Sequence, residues 1–344
     1  MGREVAFRLD HPYLDVETAT ATGLGNVKHT ILGCGPVGCS AMTALAGRGE
    51  QVQVVSRQPS PQLPSGVTHQ ALDVLDRVRL EAACRGSDVI YQCLSAPYHR
   101  WAAEFPPLQE AVVRVAKSVG ARLVSFDNVY MYGAPGAEPF GEDHPNRPCS
   151  EKGRVRAAMA EELHGLHARR ELLVAQVRAS DLFGPGMRDS ALGEQLIGRA
   201  VAGKTARGFG NLSMPHTWAF TLDAGETLAR VGLSADAFGK VWHVPSDEPR
   251  SQNEIAQELS TILQRSVTIE PTPAWVLRVV GLFQPKAGAM VEMAYEFEQP
   301  FVVADSAARR LLGQSHTPFH DALGATVRSF ATPSTEPVRA SARA

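Results

Sequence analysis

The chain has 344 residues, 44% of them hydrophobic and 20% charged, enough for one large α/β domain plus a smaller lobe and ordinary for a soluble enzyme. A formal net charge of −2 offers no electrostatic footprint for nucleic acid or an anionic membrane, and no apolar run reaches the length of a membrane span. The five cysteines, Cys34, Cys39, Cys84, Cys93 and Cys149, follow neither CxxC nor finger spacing, which fits reduced thiols in a cytoplasmic protein and leaves no metal expected.

Residues 1–28 show no clear period and read as an N-terminal extension, an added arm or a disordered leader. Arg3, Asp10 and Asp15, with no apolar core between them, argue against a secretory signal. From His29 to Arg57 the chain reads strand, glycine turn, helix, strand. Gly33, Gly35 and Gly38 form G-x-G-x-x-G: the first for the sharp turn, the second so that a pyrophosphate approaches the backbone, the third for close packing of helix on strand. A helix beginning near Pro36 and Val37 aims its free N–H groups at that pyrophosphate, and proline suits a first turn. The second strand, Val52 to Val55, ends in Ser56 and Arg57 with no carboxylate to hold a ribose 2′-hydroxyl. Arg57 suits a 2′-phosphate instead, so NADP is expected over NAD.

A short third strand spans Val67 to Leu72, and Asp73 follows it within reach of an adenine edge. Residues 74–86 read as a helix ended by Gly86. The strand Asp88 to Leu94 leads into Ser95, Ala96 and Pro97, small residues expected against the cofactor and, at Pro97, the substrate. Trp101 to Val119 is a long helix ended by Gly120, Arg122 to Phe126 a fifth strand, 150–169 a charged amphipathic helix, and Leu172 to Arg178 a sixth strand. This alternation predicts a Rossmann-type, doubly wound parallel sheet of the α/β class.

Beyond Phe183 the elements shorten and Gly and Pro become frequent. The expected organisation is a dinucleotide-binding domain over 29–184, with segments returning to it at about 216–246 and 300–330. A smaller C-terminal substrate lobe is expected from 185–215 and 247–299, and a disordered tail from 331–344. Within these, Trp218 to Arg230 returns to the sheet, Val241 to Val244 is a strand, and Ser251 caps a helix over Asn253 to Gln264 with Glu254 completing a capping box. The Met- and aromatic-rich stretch 271–299 is expected to be helical and to shape the pocket.

The glycine turn, the Val129-Tyr130-Met131-Tyr132-Gly133 segment after the fifth strand, a lysine opening the next helix, and Arg178-Ala-Ser-Asp-Leu-Phe-Gly-Pro after the sixth strand together resemble an extended short-chain dehydrogenase/reductase, within the NAD(P)-dependent epimerase/dehydratase group. The resemblance covers about residues 29–330. It implies a Ser or Thr just after the fifth strand and a Tyr-x-x-x-Lys on the following helix, the Tyr moving a proton and the Lys holding the nicotinamide ribose. It also implies a homodimer through two helices of the sheet domain.

The chain departs from that pattern. Lys152 matches the family lysine, but Pro148 stands four residues earlier. Aligning Val129-Tyr130 places Phe126 at the Ser/Thr position and Asp127 and Asn128 where dehydratases carry acids; aligning Tyr132-Gly133 places Asn128 there. Catalytic candidates are therefore Lys152, Tyr130 or Tyr132, Asp127 as a base and Asn128 as a donor. Where nucleotide-sugar relatives carry an Asn for the diphosphate, this chain has Asp181, which repels a diphosphate. With His216 and Trp218 as further substrate-pocket candidates, the expected activity is NADP-dependent oxidation, reduction or epimerisation at a secondary alcohol or ketone of a small metabolite. The alternatives are an NADP-binding regulator without ordinary catalysis, or a non-redox lyase or isomerase on the same fold.

Overall fold

A computed structural model of the protein describes residues 27–58, 63–272 and 291–331. Its strands are β1 (Lys28–Leu32), β2 (Gln51–Ser56), β3 (Thr68–Ala71), β4 (Val89–Gln92), β5 (Arg122–Asp127), β6 (Val174–Arg178), β7 (Asp181–Phe183), β8 (Ala206–Gly208), β9 (Trp218–Phe220), β10 (Val241–His243) and β11 (Ile269–Pro271). The helices are α1 (Pro36–Ala46), α2 (Arg77–Cys84), α3 (Trp101–Val119), α4 (Glu151–Ala168), α5 (Arg199–Val201, entered through a π-helical stretch Gly193–Gly198), α6 (Thr221–Leu233), α7 (Gln252–Leu263), α8 (Ser306–Leu311) and α9 (Phe319–Ala331).

Seven strands form one parallel sheet in the order β3-β2-β1-β4-β5-β6-β10. The chain reverses its direction of travel between β1 and β4, which opens a crevice at the carboxyl ends of those strands. Both faces are covered, so successive strand residues are buried on opposite sides: Ile31 and Leu32, Val89 and Ile90, Leu123 and Val124 are each fully buried. Ile31, Val89 and Val124 face the layer of α1 and α6, packing with Met42, Leu45 and Leu228. Leu32, Ile90 and Leu123 face α2, α3 and α4, packing with Leu80, Val112 and Leu163.

The second lobe grows from the carboxyl ends of the sheet. Two parallel pairs, β7 with β9 and β8 with β11, frame it. Its core gathers Phe183, Leu196, Trp218, Leu259, Phe297 and Leu323.

Several sequence expectations are met at their boundaries. α3 spans Trp101–Val119 and ends at Gly120 in the left-handed region, and Ser251 and Glu254 make the expected capping box on α7. Others shift. β6 starts at Val174, since Leu173 stays half-exposed before pairing with β5 begins. α2 starts later than residue 74, because Asp76 caps it by accepting from the Arg79 N–H. The segment from Trp218 divides into strand β9 and helix α6, and it is α6 that lies against α1 on the sheet. In the segment 300–330, the Ala304 carbonyl meets His243 of β10, α8 packs Ala308 into the sheet layer, and Gln314 and Thr317 bond Asp223 of α6, while α9 buries Phe319 and Leu323 in the second lobe. The N-terminal extension up to residue 26, the stretch 273–290 within the Met-rich segment, and the tail from 332 lie outside the described residues; β1 already starts at Lys28, and the rest of 271–299 holds the end of β11 and a 3-10 turn, Ala294–Phe297. No helix among the described residues is long and apolar enough to cross a membrane.

The α1–α6 layer is the fold's most exacting contact. Leu228→Ala removes a fully buried side chain there and is expected to lower unfolding free energy by about 2–5 kcal/mol. Leu75→Ala, at a side chain 55% exposed, should change it by less than about 0.5 kcal/mol. Urea denaturation of the two variants against the parent checks the contrast, and equal effects would contradict the layer assignment.

Candidate active site

The three glycines of the turn divide their tasks sterically. Gly33 has φ +103°, and a Cβ there would sit 2.5 Å from the Cys93 carbonyl oxygen. A Cβ on Gly38 would sit 2.0 Å from the Gly33 carbonyl oxygen. Both approaches are internal and admit only glycine. Gly35 differs: nothing lies within 4 Å of its would-be Cβ, and the residue is exposed. It is the N-cap of α1, with Pro36 following at the first helical position and Val37 and Gly38 in the first turn. Internal contacts thus fix the turn, while open space and unsatisfied first-turn N–H groups lie on its outer side. These residues fit the pyrophosphate of a dinucleotide.

The flanks of the cradle are polar and partly committed. The Ser56 hydroxyl lies 2.9 Å from His69 Nε2 and donates to the Gln58 carbonyl, while Arg57 is exposed beside it. Asp73 is exposed, and its Oδ1 accepts from the Leu75 N–H at 3.0 Å, a turn contact that uses one carboxylate oxygen. Beyond β4, Ser95 and Pro97 are exposed, while Ala96 is buried and its carbonyl accepts from Trp101 Nε1 at 3.2 Å.

Lys152 sits on the first turn of α4, which Ser150 caps. Pro148 precedes that cap, so no residue four before the lysine shares the helix. The lysine is 6% exposed. Its ammonium pairs with Glu292, whose other oxygen accepts the Glu151 N–H at 2.9 Å, a carboxylate placed where the α4 dipole favours it. The same ammonium lies 4.6 Å from the centre of the Tyr98 ring. The Tyr98 hydroxyl is hydrogen-bonded to that of Tyr130, whose own ring stacks on Trp101 at 5.7 Å. Burial pushes both phenols above their ordinary range, so both keep their protons.

Tyr98 and Tyr130 open on a cavity of about 410 Å³ whose walls also include Asp181, Phe209, Glu296 and Phe297. Glu296 is 2% exposed, and its Oε1 has no hydrogen-bond partner. Burial first, then the charge of Asp181, raises its carboxyl well above the carboxylate range, so it stands as a neutral acid. Behind the wall, His216 Nε2 lies 2.9 Å from Asp181 Oδ2, and Nδ1 lies 3.2 Å from the Glu296 carbonyl oxygen. The imidazole is stacked on Phe297 and Phe301, each at 5.0 Å. His216 therefore positions Asp181 and the Glu296 backbone without lining the cavity itself.

Four expected site residues are differently employed. Tyr132 is buried; its hydroxyl donates to His243 Nε2 at 2.7 Å and accepts from Arg178 Nη1 at 2.9 Å. Asp127 is buried against Arg156, with Nε 3.2 Å from Oδ1, and also accepts the Asn128 N–H. Asn128 spends its side-chain oxygen on the Tyr130 N–H at 3.1 Å. Trp218 is 3% exposed and donates its indole N–H to the Arg250 carbonyl in the lobe core. Asp127, Asn128 and Tyr132 hold the loop that presents Tyr130; a buried charge needs its partner and a buried hydroxyl its acceptor, which keeps them out of the cavity. Conversely, Tyr98, Glu292 and Glu296 face the site and carried no sequence signal. The nearest hint was the aromatic character of Pro97-Tyr98 after β4. Among the described residues no group of three His, Cys, Asp or Glu side chains is arranged to hold a metal.

Fold and site together define an α/β protein with a dinucleotide-type glycine turn and a cavity at the carboxyl ends of its strands. The chain belongs to the NAD dependent epimerase/dehydratase family, whose model matches residues 30–243. Among solved structures, it is similar to UDP-glucuronic acid 4-epimerase from Bacillus cereus, in complex with UDP-glucuronic acid and NAD, at 17% identity and a TM-score of 0.72, covering 88% of this chain and 99% of that one. A dTDP-glucose 4,6-dehydratase from Streptomyces venezuelae with NAD bound gives 18% identity and a TM-score of 0.70, covering 88% and 97%. UDP-glucose 4-epimerase from Thermotoga maritima gives 13% and 0.71, covering 88% and 98%. No curated protein sequence matches the chain significantly.

Two outcomes follow from this geometry. Gly35→Asp places a side chain in the open space of the cradle and is expected to abolish dinucleotide binding in calorimetry while the thermal midpoint stays within a few degrees of the parent; retained binding would refute the cradle. The second concerns pH. Burial holds the His243 imidazole down to about 4 in the folded protein, against about 6.5 unfolded. Folding therefore favours the neutral ring, and its contribution, up to about 3 kcal/mol, is complete above pH 6.5 and lost as pH falls toward 4. His29, also held down to about 4 by burial, adds a similar slope. His243→Gln should flatten the fall in urea midpoint between pH 6.5 and 4.5 by about half; an unchanged slope would contradict a neutral His243.

Proposed function

We propose that the protein is an NADP-preferring oxidoreductase or epimerase acting at a secondary alcohol or ketone of a small metabolite. The observation that carries this reading is the Tyr98–Tyr130 hydroxyl pair, set beside Lys152 at the mouth of the cavity, where the family's own tyrosine is replaced by Pro148. The dinucleotide supplies the hydride donor or acceptor when bound; Gly33, Gly35, Pro36, Val37 and Gly38 would hold its pyrophosphate, and Lys152 its nicotinamide ribose.

The protein's own groups do the rest. Tyr98 and Tyr130 remain protonated, so they are donors to a substrate oxygen, which suits carbonyl reduction: one phenol gives its proton as negative charge builds on that oxygen. Lys152 stabilises the resulting phenolate once its ammonium turns from Glu292. Neutral Glu296 offers a second donor to a substrate hydroxyl, and Asp181, oriented by His216, an acceptor. The Phe209 and Phe297 walls exclude water. The Asp181 carboxylate, joined on the cavity wall by Asp189 and Glu298, opposes a diphosphate, which favours a substrate without one. Preference for NADP rests on Arg57, exposed at the end of β2 with no carboxylate between it and Asp73; the Bacillus cereus and Streptomyces venezuelae structures carry NAD, so both cofactors belong in the test. The pairing of Lys152 with Glu292 favours one alternative, a protein that binds the dinucleotide without turnover.

The deciding experiment follows NADPH and NADH oxidation with a panel of ketones, beside dinucleotide titration. Tyr98→Phe and Tyr130→Phe are each expected to lower kcat at least tenfold with dinucleotide affinity unchanged, and Arg57→Ala to weaken NADPH at least tenfold more than NADH. Tight binding without turnover across the panel would establish the non-catalytic alternative, and equal losses for both cofactors in Arg57→Ala would remove the NADP preference.

A further inference from the structure

Three thiols converge on the glycine turn, and none has a part in the chemistry above. Cys34 lies between the first two glycines and Cys39 directly follows the third. Their Sγ atoms are 2.6 Å apart, and Cys39 Sγ also lies 3.4 Å from the Cys34 carbonyl oxygen. Both residues are partly exposed. Cys93 closes the group from the end of β4: its N–H donates to Leu32 at 2.9 Å, and its Cβ lies 3.3 Å from where a Gly38 Cβ would stand. Burial pushes the Cys93 thiol up to about 12, so it stays protonated and unreactive.

We propose that Cys34 and Cys39 form an oxidative modification site, a dithiol that closes to a disulfide across the turn and thereby excludes the dinucleotide. A movement of about half an ångström separates the present sulfur spacing from a bond length near 2.05 Å. The residues inside the resulting ring are Gly35, Pro36, Val37 and Gly38, which include the outward Gly35 and the first turn of α1, so the cross-link stiffens the segment that must fit the pyrophosphate. The oxidant is a hydroperoxide. One thiol sulfur attacks its O–O bond, gaining a hydroxyl as sulfenic acid and releasing water or an alcohol; the second thiol then attacks that sulfur, forming S–S and expelling hydroxide, which leaves as water with the second thiol's proton. The two sulfurs lose two electrons in all and the peroxide gains them. A dithiol reductant reverses the step by exchange. Reversible disulfides in otherwise reduced compartments are characteristically of this sensing kind. Because the linkage is reciprocal, a bound dinucleotide must protect the pair from oxidation to the same extent.

The exclusion half of the proposal rests on the dinucleotide reading of the turn, and the experiment separates the two. The whole protein is treated with hydrogen peroxide, the disulfides are mapped by peptide mass spectrometry, and NADPH and NADH binding is titrated before oxidation, after it, and after dithiothreitol. The expected result is a Cys34–Cys39 disulfide, an affinity at least tenfold weaker, and full recovery on reduction. Cys39→Ser should lose the response to peroxide, while Cys93→Ser should keep it. Oxidation mapped to other cysteines, or undiminished affinity once the 34–39 disulfide has formed, would overturn the proposal. A mapped 34–39 disulfide in a protein whose reduced form binds neither dinucleotide would uphold the modification site and overturn the dinucleotide reading.

Discussion

The contact between Gly38 and the Gly33 carbonyl is the constraint from which the rest of the molecule is laid out. With no side chain at either position, α1 starts almost against the end of β1. That closeness sets the height of α1 over the sheet, where it can receive α6 and bury Met42, Leu45 and Leu228 in one layer. It also leaves Gly35 as the outward member of the motif, and hence leaves the open ground at the crevice between β1 and β4. Any residue larger than glycine at 38 would lift the helix, loosen the α1–α6 layer and close the cradle together.

A second organising unit is polar and buried. Asp127 with Arg156 joins the end of β5 to α4; Arg178, Tyr132 and His243 join β6, the 130–132 turn and β10, and His243 reaches on to the Ala304 carbonyl at 2.6 Å. Breaking one member of such a network leaves a charge or donor stranded away from water, which costs far more than the net gain of having it. Rigidity is the result. Tyr130 is presented to the cavity by a loop whose backbone is fixed from below by Asn128 and whose ring is fixed against Trp101.

The sheet, the glycine turn, α3 and the α7 capping box were legible because each depends on neighbours a few residues apart, where period and turn chemistry leave a mark. Lys152 was singled out by the family resemblance, at the opening of the helix after the fifth strand. The division of the loop after β5 was not. Asp127, Tyr130 and Tyr132 carry the same chemical credentials in the sequence, and only the direction of a 3-10 turn sends Tyr130 to the cavity and Tyr132 to His243. Tyr98 and Glu296 were invisible on different grounds: they meet Tyr130 and Asp181 across long stretches of chain, and no local pattern encodes a long-range meeting. Trp218 and His216 illustrate the same limit, since both were placed near the substrate and one turns out to be core and the other a prop behind the wall.

The ion pair between Lys152 and Glu292 makes the C-terminal lobe a tethered competitor for the lysine. Glu292 is present at the high effective concentration of an intramolecular group, and its backbone contact to Glu151 keeps it aligned. Whatever engages Lys152 must first take the ammonium from that carboxylate. The apparent affinity is then the intrinsic affinity multiplied by the fraction of molecules in which the pair is open. The accessibility of Lys152 is thereby set partly by a residue 140 positions further along the chain, and the two segments report on each other through a single charge.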